Sequence, residues 1–110
     1  MTEFATQTLT DGACRLIVDG DMTIYNALDV KQQLVTAVRN SAVLELDLSH
    51  VGEMDTAGFQ LLVMTKKESL RLDKTLRIIA HSDPVREIIE FYNMGAFFGD
   101  PVVIPAGGRA

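Results

Sequence analysis

VLELDLSHVGEMDTAGFQLLVM, residues 43–64, changes its period part-way along. Val43 to Leu48 alternates, with Leu44, Leu46 and Leu48 on one face, as a strand does. Ser49 to Glu53 reads as loop. From Ala57 the spacing is helical, and a helix is expected over Ala57–Leu72. Its first half, Phe59 to Met64, is apolar almost all round and belongs deep in a core. Lys66, Lys67, Glu68 and Arg71 return its second half to solvent. A strand handed straight to a buried helix is the repeating unit of an α/β protein.

The same unit recurs on both sides. Upstream, Phe4 to Leu9 alternates weakly and Asp11-Gly12 signals a tight turn. Cys14, Leu16 and Val18 then point one way, with Arg15 and Asp19 marking the other face. That is a hairpin, closed by Gly20. From Ile24 the period is helical: Ile24, Ala27, Leu28, Leu34, Val35 and Val38 oppose Asn26, Asp29, Gln32, Gln33 and Arg39. Thr23 is the expected N-cap, and Asn40-Ser41 the end. Downstream, Leu76 to Ala80 is apolar enough for a central strand. Asp83-Pro84 opens a third helix, with Asp as cap and Pro at the first helical position. Val85, Ile88, Ile89 and Tyr92 form its buried stripe, and Gly95 stops it. Pro101 and Pro105 bracket a short strand, Val102–Ile104, and residues 105–110 read as a frayed tail.

The expectation is therefore one α/β domain over residues 1–110, ordered over about 4–104. Its sheet is mixed and mostly parallel, of about five strands led by an antiparallel hairpin, with about three helices. A chain of 110 residues is one small domain's worth, and 47% apolar with 23% charged residues is globular composition, neither disordered nor fibrous. Ten basic residues against fifteen acidic ones give a net charge of -5. No positive face is available for a nucleic-acid backbone, and Lys66-Lys67 is the longest basic run. The single cysteine, Cys14, makes neither an internal disulfide nor a cysteine-based zinc site. The start, Met-Thr-Glu-Phe-Ala-Thr-Gln, is not a signal peptide, and no apolar run approaches the ~18 residues of a membrane span. The expected compartment is the reduced cytoplasm, with no direct membrane insertion.

Catalytic constellations do not assemble from this sequence. There is no Gly-rich phosphate loop ending in Lys-Ser or Lys-Thr, and no Gly-x-Ser-x-Gly elbow. His50 and His81 lie far apart, each beside a strand end, and read as solvated loop histidines. Cys14 reads as a small core residue. Asp55-Thr56-Ala57 resembles the Asp-Thr-Gly turn of aspartic proteases only in letters, because that chemistry needs two carboxylates sharing a proton. Here the segment opens a helix and has no second copy. No cofactor, metal ligand or catalytic residue is expected.

Glu53-Met54-Asp55-Thr56-Ala57-Gly58-Phe59 is still the informative junction. Asp55 or Thr56 caps the following helix, and Ala57 and Gly58 permit close backbone approach. On one reading these are caps and nothing more. On the other, a hydroxyl at a helix N-terminus is exposed, and the free N–H groups there favour a phosphate.

At these residues the chain resembles the STAS family, the domain shared by anti-sigma factor antagonists and some transporters. Leu16 to Gly20 followed by Asp21 is similar to the family's strand ending in Gly-acidic. Leu46-Asp47-Leu48-Ser49 leading to Met54-Asp55-Thr56-Ala57-Gly58 is similar to its strand and Asp-Ser/Thr-x-Gly loop. The apolar run after Gly58, and the strand Leu76 to Ala80 with a helix ending near Met94-Gly95, complete the match over about residues 4 to 104. In the antagonist branch the hydroxyl residue after the loop Asp is phosphorylated, which implies Thr56. Many relatives carry a second Ser or Thr where this chain has Ala57, and some an acidic residue where it has Thr23.

The resemblance implies a phosphorylation-controlled interaction module, not an enzyme. The unphosphorylated form would bind an anti-sigma factor that is itself a serine/threonine kinase of the histidine-kinase-like ATPase type, and a phosphatase would reset it. The implied docking surface is Asp21, Met22, Ile24, Tyr25, Asp55, Ala57, Gly58 and Phe59 around Thr56, on a monomer or weak dimer. Ile24 and Tyr25 read equally as core staples of the helix start. Two other outputs fit the same surface: an accessory subunit of a phospholipid-trafficking ABC transporter, or a partner of a chemotaxis-type signalling kinase.

Overall fold

The computed structural model describes residues 2–98. Strand β1 (Glu3–Thr8) and strand β2 (Ala13–Met22) pair antiparallel. The turn between them is set by Asp11 and Gly12, whose φ angles are 57° and 78°. The Ala13 N–H closes that turn on the Thr10 carbonyl at 3.1 Å. Two successive positive φ angles match the right-handed twist of a hairpin, which is why Asp-Gly is found there.

Helix α1 (Ala27–Arg39) begins later than its sequence pattern implies. Thr23 is not the cap. Asn26 holds the N-cap position, but its side chain turns back to accept the Thr23 N–H at 2.8 Å. Residues 23–26 therefore form a separate turn, and Ile24 and Tyr25 stand outside the helix in solvent. The buried stripe is Val30, Leu34 and Val38, one residue every four; Leu28 is exposed.

Strand β3 (Val43–Met54) is twice the expected length. Ser49 to Glu53, expected as loop, continues the parallel ladder with β2 as far as Met22 opposite Met54. The alternation breaks at Ser49-His50 because the register shifts there, so that Val51 returns to the core. Helix α2 (Thr56–Arg71) follows at once. It ends in a left-handed Asp73, φ 61°, with Lys74 N–H on the Ser69 carbonyl at 2.8 Å.

Strand β4 (Thr75–His81) pairs parallel with β3, giving the order β1-β2-β3-β4. It was expected to be central. Among the described strands it is an outer one, and Ile79 is exposed. Helix α3 (Asp83–Phe91) has Ser82, not Asp83, at its N-cap position. Asp83 instead meets Arg86 one turn on at 3.3 Å. Asn93, φ 56°, ends this helix, with Met94 N–H on the Ile89 carbonyl at 3.0 Å. Gly95 does not stop α3; it starts a short helix α4 (Gly95–Phe98). The expected strand Val102–Ile104 and the tail 105–110 lie outside the described residues.

Period-2 alternation divides the sheet. Leu16, Val18, Leu44, Leu46, Leu48 and Leu76 face a core shared with the α1 stripe, Phe59 and Leu62 of α2, and Val85 and Ile89 of α3. The other face carries polar groups, including Arg15 bound to Glu45 at 2.8 Å. The result is the expected α/β fold with a mixed, mostly parallel sheet led by a hairpin. Among the described residues no helix is long and apolar enough to cross a membrane.

Candidate functional site

One carboxylate organises the start of α2. Asp55, in extended conformation, accepts the Gly58 N–H on Oδ1 at 3.0 Å, the N-cap bond. Its Oδ2 accepts the Ile24 N–H at 2.9 Å, and its own N–H reaches the Met22 carbonyl at 3.3 Å. The same side chain thus caps α2 and fixes the 23–26 turn. Burial acts to raise the Asp55 pKa, but the N–H groups of Gly58, Ile24 and Ala57 outweigh it and hold the carboxyl below its ordinary range.

Gly58 completes the junction. A Cβ there would lie 2.0 Å from the Met22 carbonyl oxygen, so the first turn of α2 rests directly on the backbone of β2. Only glycine allows that approach. Thr56, the first residue of α2, is consequently raised at the surface, and its hydroxyl takes no part in the capping bond.

Thr56 Oγ lies 3.3 Å from the Tyr92 hydroxyl, brought over from the end of α3. The Tyr92 ring stacks on Phe59 at 4.7 Å and 16°. Sequence reasoning assigned Tyr92 to the buried stripe of α3, yet it is 40% exposed and belongs to this site. Its amphipathic character was the available signal: the ring packs inward while the hydroxyl stays at the surface.

The residues expected around Thr56 divide by burial into three sets. Asp21, Ile24 and Tyr25 are exposed, the last two at 67% and 96%. Ile24 and Tyr25 are therefore not core staples. Leu28, which the helical spacing places on the apolar face of α1, is equally exposed at 70%. Ala57 is half-buried. Met22, Gly58 and Phe59 are buried: Phe59 lies in the core, as the apolar first half of α2 implies, and all three lie beneath the expected docking surface rather than on it. They support the loop from beneath: Met22 through its carbonyl, Phe59 through its ring. Exposed Glu53 and the ionised Asp55 give the loop a negative setting.

Elsewhere the candidates stay apart. His50 Nδ1 sits 3.2 Å from Ser49 Oγ, and Ser49 in turn donates to Asp47 at 2.6 Å. Those Ser49 bonds hold the Asp47 carboxyl below its ordinary range. Cys14 is half-buried beside a cavity of about 330 Å³ between the hairpin and α1. Among the described residues no cluster of His, Cys, Asp and Glu could hold a metal ion.

Residues 5–104 match the family described as "Mlab, STAS domain". The chain belongs to the STAS family. Solved structures of anti-sigma factor antagonists share its fold. An anti-sigma factor antagonist from Mycobacterium paratuberculosis superposes with a TM-score of 0.78 at 21% identity, over 89% of this chain and 83% of that one. The Bacillus cell fate determinant SpoIIAA in its phosphorylated form gives 0.67 at 15%, covering 84% and 86%. The anti-sigma factor antagonist SpoIIAA in its unphosphorylated form gives 0.64 at 14%, covering 81% and 83%. No curated protein sequence matches this STAS chain.

Proposed function

We propose that this STAS domain is a cytoplasmic partner-switching module written at Thr56. The unmodified loop binds an anti-sigma factor that is also an ATP-using kinase. That kinase transfers the γ-phosphoryl group of ATP to Thr56 Oγ: the Oγ–P bond forms, the bond to ADP breaks, and the hydroxyl proton passes to a base on the kinase. A phosphatase restores the hydroxyl by directing water at phosphorus, releasing inorganic phosphate.

The observation that carries this reading is the division of labour between adjacent residues. Asp55 does the capping, so the Thr56 hydroxyl is spare to the helix and open to solvent. Beside it, Ile24 and Tyr25 are exposed apolar side chains held in place through Asp55. A phosphate adds about -1.5 to -2 charges. One like-charge pair at about 5 Å and an effective dielectric of about 20 costs roughly 3 kcal/mol. About 1.4 kcal/mol is a tenfold loss of affinity, so the charge acts without refolding the domain. Incubation with the cognate anti-sigma factor and labelled ATP tests the site: label on the parent and none on Thr56→Ala is expected, and equal labelling overturns it.

The family's Mlab description favours a second reading, an accessory subunit of a phospholipid-trafficking ABC transporter that docks by the same loop. Co-purification with a transporter ATPase, with no phosphate on Thr56 by intact mass, would select it.

A further inference from the structure

Five of the chain's seven aromatic residues form one connected cluster beneath and beside Thr56. Phe59 stacks on Tyr92, Phe98 stands edge-on to Phe59 at 6.1 Å, and Phe97 edge-on to Phe98 at 5.1 Å. Phe91 stands edge-on to Tyr92 at 5.0 Å and 88°, and is 80% exposed. This cluster makes its polar link to the switch loop at one point, the Tyr92 hydroxyl on Thr56 Oγ.

The backbone of Tyr92 is fixed. Its N–H bonds the Ile88 carbonyl at 3.2 Å, and the left-handed Asn93 and Met94 lock the helix end on Glu90 and Ile89. Only the side chain is free to respond to what happens at Thr56. A phosphate there replaces one hydroxyl by three strong acceptor oxygens, in a loop whose own side chains, Glu53 and Asp55, are acceptors when ionised. The phenol already shares a hydrogen bond with that oxygen, in which either hydroxyl can donate, and against a phosphate it can only be the donor.

We propose that Tyr92 is the positioning residue for the Thr56 side chain and the internal receiver of its mark. It holds the hydroxyl in the unmodified protein and donates to the phosphate in the modified one. The surface whose shape the mark changes then extends past the loop to Phe91 at the end of α3. This inference rests on Thr56 as the modified residue, but its test requires no kinase.

Two measurements on the full chain decide it. The chain has two tyrosines and no tryptophan, so Tyr25→Phe leaves Tyr92 as the sole emitter. In that background Thr56→Val, which keeps the shape and removes the hydroxyl, should raise acrylamide quenching of Tyr92, and Thr56→Ser should restore the parent value. Equal quenching in all three overturns the holding role. Second, phosphothreonine is installed at position 56 by chemical ligation, and its second ionisation is followed by ³¹P resonance, with and without Tyr92→Phe. The bond strengthens as the phosphate goes from monoanion to dianion, and a difference of about tenfold between the two is about one pH unit in that ionisation. Tyr92→Phe should raise it by that amount while keeping the Phe59 stack; Glu53 and Asp55 are common to both proteins and cancel. Identical titrations overturn the receiver role even where kinase labelling of Thr56 succeeds. A clear shift alongside failed labelling overturns the phosphorylation reading alone.

Discussion

Asp55 and Thr56 show how adjacent side chains separate structure from signalling. Asp55 serves two backbone donors, one in α2 and one in the turn before α1. Replacing it with alanine should cost about 1–2 kcal/mol in urea unfolding, the usual range for a lost N-cap plus one further acceptor. Its lowered pKa fixes the sign of the pH effect. The stabilisation is complete above the ordinary carboxylate value of about 4 and is lost as pH falls through the lowered folded value. Asp55→Asn, whose amide oxygen still caps, should lose less stability at pH 7 and show a flatter decline in acid. Thr56 behaves oppositely. Thr56→Ala and Thr56→Glu should stay within about 0.5 kcal/mol of the parent in stability. Thr56→Glu should weaken the anti-sigma complex at least about tenfold by calorimetry; an unchanged dissociation constant would end the switch account.

At the scale of elements, the decisive contact is α2 on the end of β2. Gly58→Ala would drive a methyl into the Met22 carbonyl at 2.0 Å. The helix must lift, and a loss of about 3 kcal/mol is expected in thermal or urea unfolding. Gly95→Ala is the control, since a Cβ there meets nothing within 4 Å. It should be neutral or stabilising by up to about 1 kcal/mol. Since alanine is the better helix former at both positions, a cost at Gly58 reports the close approach, and a similar small gain at both would mean that the close approach does not explain Gly58. Both helix ends with left-handed Asp73 and Asn93 also belong to this scale. In sequence each looks like an ordinary polar residue, because Asp and Asn tolerate that conformation without announcing it as glycine does. That is why Gly95 attracted the stop signal that Asn93 provides.

For the whole molecule, the sheet separates a buried scaffold from an exposed working edge. Leu46, Leu48 and Leu34 are fully buried, whereas Ile24 and Tyr25, in the turn tied to Asp55, and Leu28 in α1 stand in solvent. Ile24→Ala and Tyr25→Ala should therefore change stability by no more than about 0.5 kcal/mol. Each should weaken partner binding by about 1–2 kcal/mol on a biosensor, as exposed apolar anchors do. Equal binding by both variants would move the interface elsewhere.

The α/β order, the hairpin and the strand-to-helix junction at Asp55 were legible in the sequence, because they follow from local periodicity, turn chemistry and capping preference. Thr56 was legible as a candidate for the same reason. The length of β3 was not: a register shift at Ser49-His50 breaks the alternation on which strand reading depends. Nor was the exposure of Ile24 and Tyr25, since helical spacing alone cannot tell that residues 23–26 form a turn before α1 begins. Tyr92 needed tertiary structure most of all. It stands 36 residues from Thr56, and only the return of α3 against the start of α2 brings the two hydroxyls together.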